Sequence, residues 1–335
     1  MTLQPELDEL SALLSSQGLT DNRSAADNRL PDLKNLEYSP LGDSEIGLLK
    51  ILPSWSANND IQLTLEHFQC DSSYRSTQTY RALSYCWGDA SDTVAIIVND
   101  CKLSVTKSLE AAIRELKRRE YDCIWIDAIC INQGDEKERG HQILKMRDIF
   151  SNAYETIVWL GVENKHTEEA LSVVECLATG NPTDLFQLRT TQLLAHKPEY
   201  VKNLSGWKSV AELFALPYWQ RTWIIQEIAM SQHTILVWGS HTIAIQTIEL
   251  VITTLQKCGP TFWFYFTGYE NIRCLLKLTR LIKDGRIGQG KARLAPDLLE
   301  VLRRSCLSRS REPHDKVFGV LGLAVSCILI LKFSY

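Results

Sequence analysis

The sequence predicts an α/β protein, a parallel sheet with helices on both faces that runs into a mostly helical C-terminal region. Three observations carry this. Short, continuously apolar runs recur: "RALSYCW", "DCIWIDAICI" and "TIVWLG". Strands covered on both faces read this way, because neither side can be polar. Segments with helical spacing separate the runs, and such alternation is how a chain lays down parallel strands. Finally, 45% of the 335 residues are hydrophobic and 23% are charged, which is ordinary for a soluble chain with a sizeable core.

The elements follow in order. Residues 1–35 are polar, with "LDELSALLSSQ" as one short helix, and form an expected mobile arm. Residues 36–78 are a β-rich lead-in with two strands, "EIGLLKILPS" and "DIQLTLEHFQC". In the second, Ile61, Leu63 and Leu65 share one face, and Gln62, Thr64 and Glu66 the other. "RALSYCW" ends in a Gly-Asp turn, and "VAIIVNDCKLSV" reads as a hairpin turning at Asn99-Asp100. Ser108 is the expected cap of the helix "LEAAIRELKRRE", and Asp135 that of "EKERGHQILKMRDIFSNA". In the latter, Ile143, Met146, Ile149 and Phe150 form the apolar stripe. "DCIWIDAICI" reads as a buried strand with its end near Asp127, and "TIVWLG" as another, stopped by Gly161. Residues 162–217 look like a helical and irregular insertion, and "YWQRTWIIQEIAMS", residues 218–231, like one helix. Residues 232–335 hold "TILVWGS", several helices and the aromatic cluster "TFWFYF".

Composition excludes several classes. A net charge of −4 gives no footprint for nucleic acid. The ten cysteines include no CxxC pair and the seven histidines no HExxH, so no metal site is expected. Reduced thiols and the absence of a secretory signal point to the cytoplasm. The longest apolar run, residues 317–331, is shorter than the ~20 residues of a membrane span. "GRIGQGKA", residues 285–292, has the Gly and Lys spacing of a P-loop, but Ala292 stands where a hydroxyl is needed and a helix precedes it.

Ligands of open parallel sheets sit outside the carboxyl ends of the strands. Ser84, Tyr85, Trp87, Gly88 and Asp89 follow the first such strand, and Asp127, Asn132 and Gln133 the second. Asp127 either meets a ligand there or accepts loop amides and holds the turn. Trp223 and Glu227 lie four apart, on one helical face. An acid beside indoles is partly desolvated, so its pKa tends upward. Such a carboxylate can carry a proton or accept ribose hydroxyls. The alternative, which spacing alone favours, is that Glu227 pairs with Arg221 or another base and ties the helix down. Arg139 opens a charged helix nearby in sequence.

Several blocks, in order, resemble the heterokaryon-incompatibility (HET) domain of filamentous fungi. They are "YRALSYCWGD", "CIWIDAICINQGDEKERGHQILKMRDIFSNAYETIVWLG" and "LPYWQRTWIIQEIAMS"; a later block, "SREPHDKVFGVLGLA", resembles a stretch that commonly follows in such proteins. The resemblance places a HET domain at residues 79–231, with its insertion at about 162–217. It implies programmed cell death after non-self recognition, with partners that are further copies of the chain or another incompatibility protein. Such proteins often continue beyond the last block, so the ending "VSCILILKFSY" is expected to mark a truncated product or a faulty gene model.

The order of pieces is also similar to Toll/interleukin-receptor (TIR) domains, which have a flavodoxin-like parallel sheet. "LSYCWGD", "LKRREYDCIWIDAICINQGDE", "MRDIFSNAYETIVWLG" and "RTWIIQEI" carry that likeness. It implies a catalytic role for Glu227 in cleaving NAD⁺ as substrate, with no resident cofactor. Ser84 to Asp89 would flank the nucleotide, Trp223 would wall the pocket, Arg139 would meet the pyrophosphate, and oligomerisation would complete the site. The chain departs from the TIR pattern at residues 162–217, where those domains have a short link.

Overall fold

The computed structural model describes residues 33–53, 61–70, 79–179, 205–257, 266–287, 296–310 and 312–323. Among these described residues, nine strands form one sheet in the order β5-β4-β2-β1-β6-β3-β7-β8-β9. They are β1 Glu45–Ile51, β2 Gln62–Gln69, β3 Arg81–Tyr85, β4 Thr93–Val98, β5 Cys101–Thr106, β6 Cys123–Trp125, β7 Glu155–Gly161, β8 Thr234–Trp238 and β9 His241–Ala244.

The sheet is mixed, where the sequence predicts a parallel one. Its middle is parallel: β3 pairs with β6 and β7, and β7 with β8. Antiparallel partners come from the lead-in, where β1 pairs with both β2 and β6, and from the hairpins β4–β5 and β8–β9. The lead-in strands thus lie in the same sheet as the core. Asn99 and Asp100 have φ of 50° and 58°, as a two-residue hairpin turn demands. The Asn99 side chain also accepts from Leu65 N–H at 2.9 Å, which ties this hairpin to β2.

β3 and β7 are buried nearly end to end, as strands covered on both faces must be. Between β3 and β6 runs helix α1, Lys107–Arg118; between β6 and β7 run α2, Asp127–Cys130, and α3, Glu136–Asn152. From β3 the chain crosses to one side and from β6 back over β3 to the other. Right-handed crossovers therefore place α1 and α3 on opposite faces. Thr106, not Ser108, caps α1; its hydroxyl accepts Leu109 N–H, while Ser108 donates to the Cys86 carbonyl. Asp135 caps α3 as its spacing predicts, accepting Lys137 and Glu138 N–H.

Beyond β7 lie α4, Thr167–Thr179, α5, Ser205–Ala215, a 3₁₀ turn, Pro217–Gln220, and α6, Ile224–Met230. After β9 come α7, Ile245–Lys257, α8, Tyr269–Ile287, α9, Leu298–Arg304, and α10, Asp315–Leu321. The C-terminal region is helical, as expected. The segment 285–287 ends α8, so a helix does precede the P-loop-like spacing; residues 288–292 lie outside the described residues. So do residues 1–32, most of "TFWFYF" and the ending "VSCILILKFSY". Among the described residues no helix is long and apolar enough to cross a membrane.

Two expected elements are interrupted. "DCIWIDAICI" is a three-residue strand followed by the turn of α2, because Ile129 and Cys130 N–H both donate to the Ile126 carbonyl. Residues 218–231 are not one helix. The chain breaks at Arg221-Thr222, where Thr222 N–H donates to the carbonyl of Arg309, a partner far downstream. After the break, α3, α8 and α10 all pack on α6, and all seven of its residues are buried.

Candidate functional site

Burial on every side makes α6 apolar all round, apart from Gln226 and Glu227. A carboxylate there needs partners, since an unpaired buried charge is strongly disfavoured. Glu227 is 3% exposed, and Ser84, 1% exposed, donates its hydroxyl hydrogen to Glu227 Oε2. Ser84 stands near the carboxyl end of β3, opposite Val158 of β7. Tyr218 OH lies 2.6 Å from Ser84 Oγ. Since Ser84 spends its one hydrogen on Glu227, Tyr218 is the donor of that second bond. Arg221 Nη2 stands 3.7 Å from Glu227 Oε1. Arg221 Nη1 is a buried donor with no hydrogen-bond acceptor among the described residues.

A second carboxylate joins from β6. Asp127 begins α2 and accepts Ala128 N–H at 2.7 Å on Oδ1 and Trp87 Nε1–H at 3.0 Å on Oδ2. It is partly exposed, and Trp87 is 40% exposed above it. Gln133 donates its side-chain amide to the Asp127 carbonyl at 2.8 Å. Asp127 thus does hold its turn, and it also shares the field of Arg221 with Glu227.

The electrostatics follow from this layout. Burial pushes the Glu227 carboxyl above its ordinary range; Arg221 and the Ser84 hydrogen bond pull it down, and Asp127 adds to the rise. Asp127 is likewise raised by burial, against Arg221, Trp87 and Ala128 N–H. Burial acts to weaken the Arg221 cation, but Glu227 and Asp127 outweigh it, so the guanidinium holds its proton more firmly than usual. Burial raises the Tyr218 and Tyr85 phenols well above their ordinary value. The cluster is two carboxylates around one guanidinium, with a Tyr218–Ser84–Glu227 hydroxyl relay.

The remaining predicted residues are spread around this centre. Tyr85 is 2% exposed beneath it. Gly88 has φ of 76°, which turns the loop after Trp87, and the exposed Asp89 accepts from Ser91. Asn132 accepts Gly134 N–H within its own turn. Arg139 is exposed and donates to the Gln133 carbonyl at 3.1 Å, so it stands beyond Gln133 from Asp127. Trp223 is half-buried, with its indole against Gly319 of α10. Sequence reasoning missed Tyr218 altogether and saw Arg221 only as a structural partner. Both stand in the same "YWQRTW" block as Glu227, and a tyrosine and an arginine flanking an apolar helix are the available signal.

Among the described residues no group of three or more His, Cys, Asp and Glu is placed to hold a metal ion. A cavity of about 600 Å³ opens elsewhere, between α7, α8 and α9, with Glu249, Arg273, Lys277 and Arg280 in its walls.

Residues 80–227, which begin just before β3 and end at Glu227, match the family model described as heterokaryon incompatibility protein (HET). The chain carries a HET domain. It is also homologous to heterokaryon incompatibility protein 6, OR allele, of Neurospora crassa, at 29% identity over 301 residues. That match covers 73% of this chain and 43% of the relative, so the chain spans less than half of the relative's length. No solved structure matches the chain. The HET domain thus contains Ser84, Asp127, Tyr218, Arg221 and Glu227, whereas α8 and α10, which cover the Glu227 helix, lie outside it.

Proposed function

We propose that this chain is a heterokaryon-incompatibility-type cell-death effector in fungal non-self recognition, hydrolysing NAD⁺ through Glu227 once assembled with itself or another incompatibility protein. The observation that carries the reading is the hydrogen bond between Ser84 and Glu227. It joins an acid from far downstream to the carboxyl end of a central parallel strand, where open sheets bind their ligands. Strand order supports a flavodoxin- and TIR-like core. In chain order, the four parallel strands β3, β6, β7 and β8 lie second-first-third-fourth across the sheet, the order that places a switch point between β3 and β7.

In the reaction, the bond between ribose C1′ and the nicotinamide nitrogen breaks. Nicotinamide leaves neutral with the electron pair, and positive charge develops on the ribose. The Glu227 carboxylate stabilises that charge, and Arg221 favours its ionised form, opposing the larger effect of burial. Water then adds at C1′ and releases a proton, giving ADP-ribose. The exposed Trp87 indole offers a stacking face.

The test is to incubate the concentrated chain with NAD⁺ and follow nicotinamide and ADP-ribose. Turnover that is lost in Glu227→Gln supports the reading; no turnover from an assembled sample overturns it. A second reading, a non-enzymatic assembly module, is favoured by one observation: Glu227 is 3% exposed and already engaged by Ser84 and Arg221. A Glu227→Ala variant that keeps both its thermal transition and its toxicity to cells would decide for that module.

A further inference from the structure

We propose that residues 305–309, outside the matched HET residues, are a positioning element of the Glu227 site that holds Arg221 against the carboxylate. The inference rests on Ser84, Arg221 and Glu227 being the site. Between the 3₁₀ turn and α6, the chain must pass Arg221 in a fixed direction without a continuous helix to guide it. The guide comes from downstream. Arg221 and Arg309 face each other in a short parallel bridge. Arg309 N–H donates to the Gln220 carbonyl, and Thr222 N–H donates to the Arg309 carbonyl at 2.9 Å.

Side chains reinforce the clip. Thr222 Oγ1 lies 3.0 Å from Ser308 Oγ and 3.1 Å from the Arg309 carbonyl. Ser308 gives its own hydrogen to the Ser305 carbonyl at 2.6 Å. The Thr222 hydrogen is therefore shared between Ser308 and Arg309, and both hydroxyls are buried, at 1% and 8% exposure. α10 then closes over the next residues. A Cβ at Gly319 would stand 3.2 Å from Thr222 Cγ2 and 3.3 Å from Trp223 Cδ2, and one at Gly322 3.2 Å from Gln226 Oε1. Residues on both sides of Arg221 are thus gripped by the C-terminal segment, and the 3.7 Å ion pair depends on that grip.

The test reads Glu227 directly, without requiring turnover. Full-length chain is labelled with ¹³C at the glutamate carboxyls, and the Glu227 signal is identified by its loss in Glu227→Gln. Asp127, Arg221, Tyr85 and Tyr218 are the other titratable groups around it. Arg221→Ala sets the scale, raising the Glu227 pKa by about 1–3 pH units. The double variant Thr222→Val/Ser308→Ala should move it in the same direction, Ser308→Thr should leave it in place, and Leu299→Ala, on the exposed face of α9, should not move it. If the double variant does not fold, Ser308→Ala alone replaces it. A folded clip variant whose Glu227 titrates where the parent's does overturns the proposal. A shifted titration with no NAD⁺ turnover in the parent would keep the clip and sink the nucleotide reading.

Discussion

Removing the Ser84 hydroxyl strips two buried groups at once. Glu227 loses a hydrogen bond to a charged acceptor, and Tyr218 OH, on a residue 1% exposed, loses its acceptor. Losing the first costs about 1.5–3 kcal/mol, and orphaning the second about 1–3 kcal/mol. Ser84→Ala should therefore destabilise the chain by about 3 kcal/mol or more, far above an ordinary surface substitution. Tyr218→Phe leaves the Ser84–Glu227 bond in place and should cost about 1 kcal/mol. In the double variant no tyrosine hydroxyl remains to be orphaned, so the two losses should fall short of their sum by about 1–2 kcal/mol. The nine tryptophans make urea unfolding followed by fluorescence a direct assay. A cost for Ser84→Ala below about 0.5 kcal/mol, or strict additivity of the pair, would refute the relay.

Three further outcomes follow from the same structure. Glu227 and Asp127 are raised by burial from ordinary values of 4.5 and 3.8, so the folded chain binds these protons more tightly than the unfolded chain. Their contribution is full below the unfolded values and is lost as pH rises through the folded ones. Glu227→Gln should thus gain on the parent in urea midpoint as pH rises from about 4.5 to 8, and a pH-independent difference would count against this. Gly47→Ala puts a Cβ 2.6 Å from the Cys130 carbonyl of α2. It should cost about 1–3 kcal/mol in the same unfolding assay, since backbone must shift. Asp135→Ala removes the side-chain cap that two α3 amides share and should cost about 1 kcal/mol, read by the thermal transition.

What the sequence makes legible is local. Asn99-Asp100, Asp135 and the apolar strands each declare themselves because a turn, a cap or two-sided burial restricts the residue types allowed. The mixed sheet was not legible, because β2 alternates like any half-buried strand, β1 reads as one more short apolar run, and nothing local says that β1 will pair with β6. Nor was the break at Arg221. The "YWQRTWIIQEIAMS" stretch has good helical spacing, and it is the Arg309 carbonyl, 87 positions beyond Thr222, that takes the Thr222 amide. Ser108 and Thr106 are both good caps, and the Cys86 carbonyl decides between them by engaging Ser108. At the site, the Glu227 block and the Ser84 loop were visible as candidates, whereas Tyr218 gained its place only through tertiary contact. Arg139 shows the converse: attractive by charge and neighbourhood, it is exposed at the start of α3, and its guanidinium donates to the Gln133 carbonyl.

The covering of α6 by α3, α8 and α10 separates two kinds of boundary. The HET family match ends at residue 227, in the middle of that helix, although similarity to the Neurospora protein covers 73% of the chain. A fragment cut there would lose Ile228–Met230 together with the helical roof, leaving an oily stub where a sealed acid had been. Whatever this family shares by descent, the piece able to fold by itself has to include the later helices, and expression of the matched part alone should yield insoluble material.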